Sequence, residues 1–165
     1  MPAVQDFHVP LIIAAAVFGV FMLWKVRPAA FSPSRAAARA ALREAQKRIE
    51  LARDEQSRAA ALCDAGDAAA SAAVSASSAI GFYLRAMRLV PTSADLVDRA
   101  AAGLTRRPRA LETLLWRRLG AEPWTGAARP AARAAIRHLV ALYSGPIRNA
   151  IRAKAMEHAL EALGE

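Results

Sequence analysis

The longest apolar stretch in the chain covers residues 9–24, VPLIIAAAVFGVFMLW. With Phe7 and Val26 it offers about 20 residues, enough to cross a ~30 Å hydrocarbon core as a helix. Val9, Leu11, Ile12, Ile13, Phe18, Phe21 and Leu23 would meet the acyl chains, and Trp24 falls where an aromatic meets the headgroups. Beyond it the pattern changes to helical spacing with clear punctuation. Ser32-Pro33 reads as an N-cap followed by a first-turn proline, opening a helix over 33–65 that Gly66-Asp67 should break. A second helix is expected over 67–89, before Pro91. Thr92 and Asp95 suggest a capping box for a third, ending near Gly103. Pro108 starts a fourth, closing at Leu119-Gly120. After the loop AEPWTGAARP come a fifth helix over 130–143 and, past Ser144-Gly145-Pro146, a sixth that runs nearly to the end.

Charge orients the first segment. Asp6 is the one charged side chain before the run, whereas Lys25, Arg27, Arg35 and Arg39 follow it. A cleaved signal peptide is the competing reading, but it wants cations before the apolar stretch and a small-residue site directly after it. The order here favours a retained anchor with its N-terminus outside and residues 28–165 in the cytoplasm, in a bacterial inner or a mitochondrial membrane.

The first helix after the run carries Ala38, Leu42, Ala45, Ile49, Ala52, Gln56, Ala59 and Cys63 at heptad spacing. Packing against the second helix is the plain expectation, and a coiled coil with another chain is the alternative. Arg35, Arg39, Arg43 and Lys47 recur every four residues on another face. With Lys25 and Arg27 they form a basic stripe suited to anionic headgroups, or a solvated face balanced by Glu44, Glu50, Asp54 and Glu55. Residues 68–84 carry no charge. Their Ala and Ser content suits a buried helix with a small face at Ser71, Ser75 and Ser78 better than a second span.

Composition narrows the class. The net charge is +9, nearly all cations are arginine, and alanine makes up about a quarter of the chain. Strand formers are sparse, so an all-α domain follows. A single cysteine, Cys63, rules out an intramolecular disulfide and is expected to pack in the core. His8, His138 and His158 fall on separate segments without ligand spacing, and no phosphate-cradling glycine loop is present. Neither an enzyme, a cofactor nor a small-molecule substrate is expected. Nor is nucleic-acid binding, since the arginines come with no recognised nucleic-acid motif.

Ala79, Tyr83, Ala86 and Pro91 reproduce the spacing of the second helix of a tetratricopeptide repeat (TPR) and its closing proline. The stretch AIGFYLRAMRLVPTSADL resembles a TPR junction, in which small residues let two helices approach and the aromatic fills the gap between them. Gly66 comes early for the inter-helix turn of that motif. Leu96, Leu104, Leu111, Leu114, Leu115 and Leu119 would complete the core. More narrowly, residues 7–119 are similar to the presequence receptor of the mitochondrial outer-membrane import translocase, on the strength of 79–89 and 110–119 behind an anchor and a charged helix. That resemblance implies a partner groove at Leu96, Arg99, Ala100 and Leu104. Arg99 and Ala100 depart from the apolar residues expected there, the family's acidic tail is absent, and a +9 chain would repel Arg-rich presequences.

At the C-terminus, Ile136, Leu139, Val140 and Tyr143 form one face, against which Ile147, Ile151 and Leu160 can pack. Trp116 and Trp124 read as packing residues, with Trp124 also a candidate partner anchor. The resulting organisation is an anchor over 1–27, a linker over 28–34, a charged helix plus TPR-like domain over 35–120, a loop over 121–129 and a helical pair over 130–165. The expected fold is all-α: one transmembrane helix and an antiparallel α-solenoid of about six helices. The expected role is a membrane-anchored interaction scaffold or an accessory subunit of a membrane complex. Its partners would be other subunits, a cytosolic protein and lipid.

Overall fold

A computed structural model describes residues 33–71, 75–121 and 124–164, together with Phe18. Every regular element among them is helical. Helix α1 is Pro33–Leu51, α2 Glu55–Ser71, α3 Ala76–Leu89, α4 Ala94–Gly103, α5 Pro108–Ala121, α6 Arg129–Ser144 and α7 Ala150–Ala162. A 3-10 turn at Gly126–Ala128 precedes α6. The all-α expectation holds, with seven α-helices among the described residues rather than six after the anchor.

The extra helix arises because the expected 33–65 helix breaks earlier, at residues 52–54. The Asp54 carboxylate accepts the Ser57 backbone N–H at 2.7 Å and the Ser57 hydroxyl at 2.8 Å, capping α2. A capped start satisfies N–H groups that an uninterrupted helix would satisfy by its own ladder, so local side-chain chemistry can outweigh alanine's helix preference. Gly66 and Asp67, expected to break the chain, lie inside α2 instead. The turn falls after Ser71, and Ser75 caps α3 through Ser78 N. Ser71 and Ser78 are consequently exposed rather than buried in a small-residue face. Helix α4 is capped by Ser93, which accepts from Leu96 N, in place of Thr92. Pro108 opens α5 as expected, because its missing N–H is no loss at a first helical position.

Packing follows a regular order. α2 lies against α3 and α6 against α7; α2 also contacts α4, α4 contacts α6, and α3 contacts α5. These helices belong to a compact unit over Ala37–Glu165. Its core joins Leu62, Met87, Val97, Leu104, Leu114, Leu115, Ile136 and Leu139 with a large number of buried alanines. Alanine lets helix axes approach closely but contributes little apolar area per residue, so the few large side chains carry most of the burial.

The heptad seam is not one seam. Ala38 and Ala45 are buried on α1, while Ala59 and Cys63 are buried on α2 beyond the break. Ile49 of α1 packs against the core. At the C-terminus Ile147 and Leu160 pack as expected, but Ile151 is 85% exposed. The turn before α7, with Arg148 at φ 52° and Asn149 capping through Arg152 N, sets a register in which Ala153, Met156 and Leu160 face inward instead. No described helix is long and apolar enough to cross a membrane. The 9–24 run lies outside the described residues, save Phe18, which is helical and 60% exposed.

Candidate functional site

Tyr83 sits at the junction of α2, α3 and α4 and is fully buried. Its ring lies against Gly66, and its hydroxyl lies beside Gly103 and donates a 2.5 Å hydrogen bond to Asp67 Oδ1. Glycine is needed at both neighbours because a Cβ at either would collide with Tyr83. Burial, and then the Asp67 hydrogen bond, push the phenol far above its ordinary range, so it stays neutral. Arg99 of α4 reaches the same carboxylate through Nε at 3.0 Å and Nη2 at 2.7 Å, and Asp64 Oδ1 through Nη2 at 2.5 Å. Arg48 of α1 pairs with the other Asp64 oxygen at 2.8 Å. Burial works against the Arg99 charge, but the two aspartates outweigh it and hold the guanidinium protonated. The chemistry of this cluster is cross-linking: one tyrosine, two aspartates and two arginines tie α1, α2, α3 and α4 together.

A second cluster joins the last three helices. Glu112 on α5 accepts from Tyr143 Oη at 2.8 Å and pairs with Arg152 Nη1 at 3.0 Å and Arg109 Nη1 at 3.1 Å. Trp116 Nε1 donates to the Tyr143 hydroxyl at 2.9 Å, which leaves the half-exposed indole fixed at the surface. Burial raises the Glu112 carboxyl, but the hydrogen bonds from Tyr143 and Arg109 and the nearby cations leave it below the usual carboxylate range. Asp98 on α4 similarly binds His138 Nε2 at 2.6 Å and Arg137 at 3.1 Å across to α6. Its own burial is outweighed by these partners, and its carboxyl is lowered too.

The described surface has several concavities, among them one of about 470 Å³ beside Tyr143, Arg148 and Glu157. Another, about 620 Å³, is bordered by Asp67, Arg99, Gly103, Arg106 and Arg107. A third, about 420 Å³, lies between α3 and α5.

The sequence-derived candidates distribute as follows. Ala79, Tyr83 and Ala86 are fully buried on α3, and Pro91 follows its end. Ala100 and Leu104 are fully buried in the core, Leu96 is half-buried against it, and Arg99 is engaged with Asp64 and Asp67. The face therefore presents ion pairs rather than an apolar groove. Trp124 packs against the core and donates through Nε1 to the Leu119 carbonyl at 2.8 Å. Arg39 and Arg43 are exposed on α1, and the backbone of Arg35 belongs to that helix. Val9, Leu11, Ile12, Ile13, Phe21, Leu23, Trp24, Lys25 and Arg27 lie outside the described residues. Cys63 is fully buried, and desolvation raises its thiol to about 11.

Sequence reasoning missed both polar clusters. Asp64 and Asp67 are three residues apart on one helix face, the sole local hint, whereas Arg99 lies more than thirty residues further on. Glu112 and Arg152 are forty residues apart. No protein-family model matches the chain, and no curated protein or solved structure does either.

Proposed function

We propose that this protein is a membrane-tethered helical-repeat scaffold that binds other proteins. The observation that carries the reading is the stacking order: α2/α3 and α6/α7 pair as hairpins, α2, α4 and α6 make one row, and α5 packs on α3 and α6 rather than chiefly on α4. Such nearest-neighbour stacking is the architecture of α-solenoids, whose repeats present extended binding surfaces. The TPR-like residues support it further: Tyr83 fills the gap between paired helices, Ala79 and Ala86 let them close, and Pro91 ends the second helix. The apolar run 9–24, with Lys25, Arg27, Arg35 and Arg39 after it and no Lys or Arg before it, supports the tether and its orientation. Arg39 and Arg43, exposed on the following helix, would rest on anionic lipid.

A second reading, an accessory subunit of a large membrane complex, is favoured by Ala14, Ala15, Ala16 and Gly19 within the run, small residues that permit close helix approach in lipid. A presequence groove on α4 has weaker support, because Ala100 and Leu104 point into the core.

Cross-linking and mass spectrometry on gently solubilised native membranes test these readings. A scaffold gives cross-links from α2–α7 to another polypeptide and is isolated as a small species. A subunit stays in one large assembly of fixed stoichiometry. Only lipid and self-contacts would defeat both.

A further inference from the structure

The concavity of about 620 Å³ at the carboxyl ends of α2 and α4 joins a charge-balanced floor to a cationic rim. Asp67 and Arg99 belong to the floor. Asp67 already accepts the Tyr83 hydroxyl and two Arg99 hydrogen bonds, and Asp64, one turn earlier on α2, is shared between Arg99 and Arg48. Arg106 and Arg107 lie on the rim, in the turn between α4 and α5, Arg106 exposed and Arg107 half-buried. Neither meets a carboxylate among the described residues, and the connection from Ser71 to Ser75, Ala72-Ala73-Val74, carries no charge.

Two effects compete over the sign of a ligand here. The last residues of α2 and α4 border the space, and the carboxyl end of a helix carries roughly −0.5 charge. Ser71 and Thr105 blunt both ends, since their hydroxyls donate to the carbonyls of Ala68 and of Ala101 and Ala102. Two full guanidinium charges on the rim outweigh two such partial ones.

We infer that this concavity binds a small hydrophilic anion with at least two oxyanion groups, of the polycarboxylate or sugar-bisphosphate class. Arg106 and Arg107 hold the oxyanions through paired N–H donors, a fork that suits carboxylate and phosphate alike. Ser71 and Thr105 keep acceptor lone pairs for ligand hydroxyls. Ala70 and Ala102 are the apolar side chains of the described wall, so an acyl chain or an aromatic base gains little burial. The volume falls in the ~300–1,000 Å³ range of small-ligand sites, and a flat lipid surface does not enter a concavity. The site draws on neither the tether nor the scaffold reading and goes beyond both.

Isothermal titration calorimetry on the full chain, in a non-ionic detergent at low salt, tests this with citrate and fructose bisphosphate as its two arms. Inorganic phosphate, maltose and spermidine serve as comparisons. Expected is a Kd below about 1 mM for one or both organic anions, at least tenfold tighter than for inorganic phosphate and weaker at high salt. The arm that binds identifies the anion as carboxylate or phosphate. R106Q/R107Q should lose at least tenfold in affinity, with helicity unchanged by circular dichroism. R117Q/R133Q removes the same charge from exposed positions outside the concavity and should change affinity less than twofold. In amide NMR spectra of the unaltered chain, the bound anion should shift Gly103 and Thr105. The inference is overturned if neither organic anion outperforms phosphate, or if R106Q/R107Q binds as tightly as the unaltered chain. It is equally overturned if R117Q/R133Q loses as much, if Gly103 and Thr105 do not respond, or if spermidine is the probe that moves them.

Discussion

The ring of Tyr83 lies so close to Gly66 that a methyl group on the glycine would sit 2.7 Å from Cε1 of the tyrosine. The tyrosine ring of one helix there meets the bare backbone of the other, and the Tyr83 hydroxyl continues to Asp67 and the neighbourhood of Gly103. The contact explains why a residue type that ordinarily weakens a helix stands in the middle of α2.

Gly66→Ala should therefore destabilise the fold by about 1–3 kcal/mol, the cost of forcing a packed core apart, despite alanine's better helix propensity. Gly81→Ala should do the opposite. A Cβ there meets nothing within 4 Å, so stability should rise by about 0.5–1 kcal/mol. Urea unfolding followed by circular dichroism separates the two; equal effects would show that the Tyr83 contact is not tight.

Tyr83→Phe keeps the ring and removes the hydroxyl. It should cost about 0.5–1.5 kcal/mol, the net worth of one hydrogen bond. Arg99→Met should cost a further ~1 kcal/mol at low salt and less at high salt, because Arg99, Asp64 and Asp67 are all partly exposed. The double variant should show coupling, since both side chains share Asp67. Strict additivity in a double-mutant cycle would contradict the shared network.

Acid should weaken the fold. Glu112 and Asp98 have carboxyls lowered in the folded chain, so the stability they contribute is present above the unfolded values near pH 4 and is lost as pH falls through the lower folded ones. Glu112→Gln should be less stable at neutral pH by about 1–3 kcal/mol and should show a shallower loss below pH 4. Thermal melts from pH 7 to pH 3 measure this; parallel curves for the two proteins would refute the assignment.

Cys63 should be inert in the folded protein. Its thiol, raised to about 11 by desolvation, holds little thiolate at pH 8 and is shielded from reagents. Reaction with a disulfide reagent should be slower than in denaturant by roughly 100-fold or more. Comparable rates in the two conditions would place Cys63 at the surface.

Much of the helical punctuation was legible from single residues. Pro108, Gly103 and the Ser144-Gly145-Pro146 turn bound helices close to where local rules put them. The early part of the chain read less well. Asp54 and Ser57 offered a cap, but alanine and arginine around them favour helix, and Gly66 looked like the stronger break. Gly66 is ambiguous in sequence because the same missing Cβ serves a turn or a close approach, and only the presence of Tyr83 above it decides which. Ile151 illustrates a register error: without the turn at Arg148 and the Asn149 cap, the inward face of α7 is underdetermined. The 420 Å³ concavity between α3 and α5 had no signal of its own, since its lining comes from two helices roughly thirty residues apart.

By itself, then, the chain's composition and spacing determined an all-helical fold, the positions of its sharpest turns, and the small-aromatic-small pattern Ala79, Tyr83, Ala86 that marks a close helix pair. Those are local properties: propensity, capping and periodicity act within a few residues. Tertiary structure alone decided which glycine was a turn and which a contact, which carboxylates Arg48, Arg99, Arg109, Arg137 and Arg152 met, and where the surface opens. The reason is physical. Packing and ion pairing depend on distances between segments far apart in sequence, and an alanine-rich chain leaves many helix faces nearly equivalent until the few large side chains choose among them.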